Sequence, residues 1–395
     1  MLVTPTPLQA AWQDLELIAF AHFGMNTFTD REWGEGTEDE RLFNPTAFDA
    51  DQWVRALKAG GMKLLILTAK HHDGFCLWPS RYTAHAVQNS PWKGGKGDVV
   101  REVAEACRRG GLKFGVYVSP WDRHEPSYGT AAYNTHFCNQ LRELLTGYGP
   151  IAEVWFDGAC GEGANGKKQE YDWEAFYRTV RECQPQALIA ICGPDIRWVG
   201  NESGVAREDE SSVQPAGEGF RWHPAECDVS IRPGWFYHPA EDGKVKTLSE
   251  LMDIYYQSVG RNSVLLLNVP PDRRGLIHEN DVARLAEFGR EVKRRFGKPI
   301  AQATGKGMLV ALALPGATTI NHAVVMEDIR QGERVEGYTI EGLVAGDWKP
   351  LAAGRVIGHK RIHRFDPVTV TAVRLRVEGA KAEPKIRRFA VYRVP

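Results

Sequence analysis

Four apolar runs in this chain end in acids or imidazoles, and chemistry is to be sought at those ends. Ile151-Ala-Glu-Val-Trp-Phe-Asp157-Gly158 closes on a carboxylate and a glycine. Residues 63–69 run into Lys70-His71-His72-Asp73-Gly74, 112–118 into Ser119-Pro120-Trp121-Asp122-Arg123-His124, and 187–191 into Cys192-Gly193-Pro194-Asp195. A buried strand that stops this way delivers its last polar side chain to its C-terminal tip, the end of a parallel α/β sheet where substrates bind. A lone Asp after a strand serves equally well as the N-cap of the next helix. Four such tips in one chain make a catalytic rim the stronger reading, with Asp157 as its central acid.

One acid is not enough for most hydrolytic chemistry. Arg197-Trp198-Val199-Gly200-Asn201-Glu202-Ser203-Gly204 sets Glu202 in a loop between glycines, beside an arginine and a tryptophan. Two carboxylates on separate loops are what glycoside cleavage requires: one attacks or stabilises the anomeric carbon, the other protonates the leaving oxygen. Glu202 as a solvated loop residue is the bland alternative, and Glu208, Asp209 and Glu210 compete for the acid's place; spacing does not choose among them.

His71 and His72 are neighbours on an extended segment, so their rings leave on opposite faces unless the backbone turns at the strand tip. A pair that diverges is a poor chelate, and His22 has no second histidine two residues away. The sequence therefore predicts no metal and no cofactor. A neutral imidazole offers one donor and one acceptor, which suits a sugar hydroxyl; for His22 a satisfied core position is the competing reading.

These residues need a scaffold, and the chain supplies a βα repeat. Residues 51–61 read as an amphipathic helix with a Gly60-Gly61 stop, and 98–111 repeat the design down to Gly110-Gly111. Asp51 and Asp98 sit where N-caps belong, and the glycines supply the left-handed turn back into the sheet. Helices over 131–147, 171–183, 248–259 and 279–296 alternate with strands at 151–157, 187–191 and 263–268. Leu17-Ile-Ala-Phe-Ala-His22-Phe-Gly24 fits as the first strand. Alternation of this kind implies right-handed crossovers and a parallel sheet, here an α/β (β/α)8-like barrel over residues 1–298. At 395 residues the chain exceeds the roughly 250 of one closed barrel. From 299 to 395 short period-two runs between Gly, Pro and Asp turns predict an antiparallel β-sandwich, read as a brace against the barrel.

A formal net charge of -1 argues against nucleic acid or an anionic membrane as partner, and leaves oligomeric state open. Twelve tryptophans, many beside Gly, Pro or charged residues, suggest flat stacking surfaces of the kind that bind sugar faces. Seven cysteines without CxxC spacing suggest neither disulfides nor zinc, and a reducing compartment. As it stands the sequence predicts a cytoplasmic protein, or a periplasmic or secreted one if a signal has been removed.

His22-Phe23-Gly24, Glu32-Trp33-Gly34-Glu35-Gly36, His71-His72-Asp73-Gly74-Phe75-Cys76-Leu77-Trp78, Gly115-Val116-Tyr117, Val154-Trp155-Phe156-Asp157 and Arg197-Trp198-Val199-Gly200-Asn201-Glu202, in that order, resemble the retaining alpha-L-fucosidases of glycoside hydrolase family 29. The resemblance implies Asp157 as nucleophile and Glu202 as acid/base, with His22, Trp33, His71, His72, Tyr117, Trp155 and Arg197 lining a fucose pocket. Trp155, Phe28 and Trp78 would then wall the sugar's methyl group, and the loop with Trp235 would shape the site for the rest of a fucosylated oligosaccharide. The Trp-Val-Gly-Asn-Glu form looks most like the subgroup that removes alpha-1,3 and alpha-1,4 branch fucose. Two other readings stand beside it: a barrel metallohydrolase using His22, His71, His72 and Asp157, and a non-catalytic fucose-binding protein.

Overall fold

A computed structural model describes residues 2–394. The chain opens with α1 (Pro7–Gln13), started by a Thr6–Gln9 capping box. It then builds a barrel from β1 (Leu17–Ala21), α2 (Met25–Thr29), α3 (Ala50–Ala59), β2 (Leu64–Lys70), α4 (Val99–Gly110), β3 (Lys113–Val118), α5 (Ala131–Gly147), β4 (Glu153–Phe156), α6 (Trp173–Cys183) and β5 (Leu188–Ile191). The second half departs from the simple repeat. β6 (Arg197–Trp198) follows β5 with no helix, and a hairpin of β7 (Val213–Ala216) and β8 (Gly219–Trp222) precedes β9 (Ala225–Ser230). α7 (Leu248–Gln257), β10 (Val264–Asn268) and α8 (Glu279–Phe296) complete it.

Eight strands join in the order β5-β4-β3-β2-β1-β10-β9-β6, all parallel. The circle is nearly closed where β5 meets β6: Ile189 O accepts from Asp195 N and Ile196 N, both at 3.3 Å. Alternation along each strand sorts the core into two layers. Ile18, Phe20, Ile66, Tyr117, Trp155, Ala190 and Leu266 fill the interior, while Ala19, Leu65, Val116, Val154, Phe156 and Leu267 face the helices. Asp49, not Asp51, caps α3, its side chain accepting from Gln52 N; Asp51 lies in the first turn, where an acid also complements the helix dipole. Asp98 caps α4 as expected, and Gly111 takes the left-handed conformation (φ +73°) at its end.

Past α8 the chain forms β11 (Ala301–Lys306), β12 (Leu309–Glu327), β13 (Val335–Val344), β14 (Asp347–Gly354), β15 (Arg361–Ala380) and β16 (Lys385–Tyr392). They make a six-stranded antiparallel arrangement in the order β11-β16-β12-β15-β13-β14. β12 and β15 run for 19 and 20 residues and bend where their register slips, between Ala313 and Thr318, so the sheet folds over its own apolar face as a sandwich. Val324, Met326, Ala390 and Tyr392 on the other face pack against Phe296 of α8. No helix among the described residues is long and apolar enough to cross a membrane, and the seven cysteines are free.

Candidate active site

Asp157 stands one residue beyond β4, on the face of the strand that also carries Glu153 and Trp155 toward the barrel interior. Its side chain is 25 % exposed, open enough to meet a ligand. Tyr117 Oη, from the tip of β3, donates to Oδ2 at 2.9 Å, and Ala159 N donates to Oδ1 at 2.8 Å. His72 Nε2 lies 3.9 Å from Oδ2.

The three histidines converge here. The backbone turns after β2, with Gly74 N donating to His71 O, so the His71 and His72 rings come within 4.0 Å instead of diverging. Burial pushes His22 down to about 3 and His72 down to about 4, the latter against the pull of Asp157's charge; burial also holds His71 well below the ordinary imidazole value. All three are neutral at physiological pH, and their networks fix the tautomers. Asn268 Nδ2 donates to Ser230 Oγ (2.9 Å) and Trp235 O (2.8 Å), so its Oδ1 accepts from His22 Nδ1 at 2.8 Å and leaves His22 Nε2 an acceptor. Ser119 Oγ donates to Trp121 O at 2.7 Å and accepts from His72 Nδ1 at 2.7 Å, leaving His72 Nε2 an acceptor. Asn26 Nδ2 faces His71 Nδ1 at 3.4 Å, which makes His71 Nε2 a donor. Two acceptors and a donor on rigid rings suit the hydroxyls of a sugar.

Trp155 forms the floor, stacked on Tyr117 with ring centroids 5.3 Å apart, its Nε1 donating to Glu226 Oε1 at 2.7 Å. Trp235 stands 5.2 Å from the His22 ring, on a loop whose Trp235 N and Phe236 N donate to Glu32 at 2.8 and 3.0 Å. Its Nε1 donates to Glu202 Oε2 at 3.3 Å, which brings the acid of the loop after β6 to the same rim. Trp33, 60 % exposed, meets His72 and Trp121 edge-on at the mouth.

Three residues expected in the pocket have other partners. Trp198 turns inward, donating from Nε1 to Asp228 Oδ1 at 2.7 Å, so its strand neighbour Arg197 points outward. There the Arg197 guanidinium pairs with Glu210 and donates to His223 O at 3.2 Å. Glu210 is thereby committed to Arg197 and Arg207, away from the rim. Trp78 is buried in the helix-facing layer, donating from Nε1 to Glu143 of α5 at 2.9 Å, and Phe28 packs on Phe23 and Phe43. Nor are the tryptophans broadly exposed: only Trp33, Trp198 and Trp348 are, among the described residues.

Sequence reasoning passed over Asn268, Ser119 and Asp228. Burial, with the nearby Glu226 and Glu202 charges, pushes Asp228 up to about 8, while the Trp198 hydrogen bond opposes this. The alternation Glu226-Cys227-Asp228-Val229-Ser230 was the signal that could have found it. An apolar hollow of about 320 Å³, lined by Leu8, Trp12, Leu64, Phe114, Ile151 and Leu188, lies at the strand starts, the end of the barrel away from Asp157. Among the described residues no group of three His, Cys, Asp or Glu side chains is placed to hold a metal ion, so the metallohydrolase reading is not favoured.

A parallel barrel that gathers a hydrogen-bonded carboxylate, neutral imidazoles and indoles at its C-terminal rim defines a sugar-cleaving hydrolase. The family model described as Alpha-L-fucosidase matches residues 9–295. Alpha-L-fucosidase 1 of Arabidopsis thaliana is 39% identical, over 99% of this chain and 88% of its own length. The crystal structure of a glycoside hydrolase 29 family member from an unknown rumen bacterium superposes with a TM-score of 0.95 at 46% identity, covering 100% of this chain and 78% of that one. A Ruminococcus gnavus GH29 fucosidase, solved in complex with fucose, gives 0.91 at 31% identity, over 100% of this chain and 95% of that one. The chain belongs to the alpha-L-fucosidase family, glycoside hydrolase family 29. It is an alpha-L-fucosidase.

Proposed function

We propose that the enzyme is exo-acting and retaining, releasing terminal alpha-linked L-fucose by double displacement, with alpha-1,3 and alpha-1,4 branches of Lewis-type glycans as its substrates. An Asp157 oxygen forms a bond to the anomeric carbon as the glycosidic C–O bond breaks, and Glu202 gives its proton to the departing oxygen. Water, deprotonated by Glu202, then cleaves the fucosyl ester and restores Asp157. The observation that carries this reading is Asp157 itself: a partly open carboxylate that accepts from Tyr117 Oη with the His72 ring beside it, in a rim that also holds a second acid tied to Trp235. His22, His71, His72 and Trp33 would grip the sugar, Trp155 would floor it, and Trp235 would stand between it and the acid. The branch preference rests on the Trp198–Glu202 motif.

Asp157→Ala is expected to lower turnover on the order of 10⁴-fold or more. Glu202→Ala is expected to lose about 10²- to 10⁴-fold on an oligosaccharide and less on an aryl fucoside with a good leaving group, where azide should restore part of the turnover as fucosyl azide. Proton NMR of the first-formed sugar should show the alpha anomer. A beta anomer, or full oligosaccharide activity in Glu202→Ala, rejects the mechanism. A Lewis trisaccharide cleaved more slowly than an aryl fucoside rejects the branch preference.

A further inference from the structure

Below Trp155, inside the barrel, two glutamates meet without a cation. Glu153 on β4 is 0% exposed and Glu226 on β9 is 1%. Each has one oxygen engaged by an indole: Trp12 Nε1 donates to Glu153 Oε2 at 2.8 Å, and Trp155 Nε1 donates to Glu226 Oε1 at 2.7 Å. The other two oxygens, Glu153 Oε1 and Glu226 Oε2, are buried with no donor, yet the two side chains lie within hydrogen-bonding reach of each other. The surroundings are apolar: Ile18, Ile66, Leu188, Val264 and Leu266. Among the described residues no Lys, Arg or His pairs with either acid. Ionised carboxylates only accept, so two of them in a dry core would repel and leave both oxygens unsatisfied. One proton between them turns an acceptor into a donor and removes one of the two charges.

We propose that Glu153 and Glu226 share a single proton and act as a positioning pair, anchoring the Trp155 indole beneath Tyr117 so that Tyr117 donates to Asp157. The chain of contact is short. Glu226 holds Trp155 Nε1, Trp155 stacks on Tyr117, and Tyr117 Oη reaches Asp157 Oδ2. The proposal rests on Asp157 being the nucleophile.

The pair's first ionisation ties its contribution to stability to pH. Burial pushes Glu153 up to about 7, and burial together with Glu153's charge pushes Glu226 well above the carboxylate range. The other titratable groups facing the pair are Asp228, on β9 two residues above Glu226 and raised to about 8, Glu202 beyond it, and Tyr117 on β3, raised by burial and Asp157's charge. α1 contributes Trp12, and β5 and β10 contribute apolar side chains. A carboxyl whose folded value is raised stabilises the fold fully below about 4.3 and loses that contribution as pH rises through the folded value, here about 7.

The test uses the full chain, wild type against Glu153→Gln/Glu226→Gln, which keeps hydrogen-bonding shape without ionising, and Glu226→Leu, which strips Trp155 of its acceptor. Thermal midpoints from pH 5 to 9 test the shared proton. The wild-type midpoint should fall relative to the double-Gln midpoint as pH rises from 5 through about 7, with a slope common to both from Asp73, Asp228 and Glu327; parallel curves overturn the shared proton. The rate at which a fucosyl fluoride, slowed by a second fluorine beside the anomeric carbon, labels Asp157 tests positioning. Fluoride leaves with the bonding electrons and needs no proton from Glu202, so the rate reports on the nucleophile alone. Wild-type and double-Gln labelling should both stay level as pH rises past 7, because Glu226 still holds the pair's one proton there, and Glu226→Leu should label about tenfold more slowly at every pH, with the same mass shift. Wild-type labelling rates in Glu226→Leu, or double-Gln labelling as slow as that of Glu226→Leu, overturn the positioning role. A label on a residue other than Asp157 instead removes the nucleophile assignment, and the midpoint curves then decide the shared proton by themselves.

Discussion

Tyr117 donates to Asp157 from a ring held by Trp155 and His71, so its hydroxyl is an oriented donor and not an adaptable one. A hydrogen bond to a charged acceptor is worth about 1.5–3 kcal/mol, or roughly 10- to 100-fold in rate. Tyr117→Phe is accordingly expected to lower kcat by about that factor with little change in KM, measured on an aryl fucoside; a change confined to KM would mean that the hydroxyl serves the sugar instead. At this scale the sequence was a good guide to residue type and a poor one to direction. Asp157, Glu202, Tyr117 and the histidines are brought to one rim, but Arg197 and Trp78 are not, because which face a side chain takes depends on strand phase. That phase was unreadable around Arg197-Trp198, where the strand is two residues long.

Among the elements, helices declared themselves through period and caps. α5 and α8 span the residues that the pattern marked, and α4 has the expected Asp98 cap. β9 did not, because Glu226 and Asp228 interrupt what would otherwise read as an apolar strand; only a barrel interior built to hold carboxyls makes those positions strand-like. The caps offer a direct check on the helices. Asp98 accepts from Arg101 N at 2.9 Å and from Tyr148 Oη at 3.0 Å, whereas Asp51 makes only an exposed pair with Arg109. Asp98→Ala should cost about 1 kcal/mol or slightly more in urea unfolding, and Asp51→Ala under about 0.5 kcal/mol. Equal costs would place the cap of α3 back at Asp51.

Over the whole molecule, buried groups of opposite kinds should shape stability with pH. His22, His72 and His363, lowered by burial to about 3 or 4, contribute stability that is present above about 6.5 and is lost as pH falls toward those values. Asp73 and Glu327, raised by burial to about 7, contribute stability that is lost as pH rises through that value. The thermal midpoint should therefore peak near pH 6 to 7 and decline on both sides; a midpoint still rising at pH 8 would contradict the burial of these groups.

At the largest scale the sandwich also holds barrel backbone near the Glu202 loop. Arg361 of β15, buried, donates to Glu208 O and Glu210 O at 2.7 Å each, and Glu333 accepts from Ser212 N at 2.9 Å. The C-terminal sheet thus clamps the segment that leads out of the Glu202 loop. Arg361→Ala leaves the Val356, Glu208 and Glu210 carbonyls without their donor and should cost about 2 to 3 kcal/mol of stability. With the clamp loosened, the placement of Glu202 is expected to suffer while Asp157, held by Tyr117 Oη and Ala159 N, keeps its donors. On the proposed role of Glu202 as proton donor, turnover of an oligosaccharide should drop about five- to tenfold, and turnover of an aryl fucoside with a good leaving group should change less than about twofold. Equal losses on the two substrates would reduce the sandwich to a brace for the fold alone.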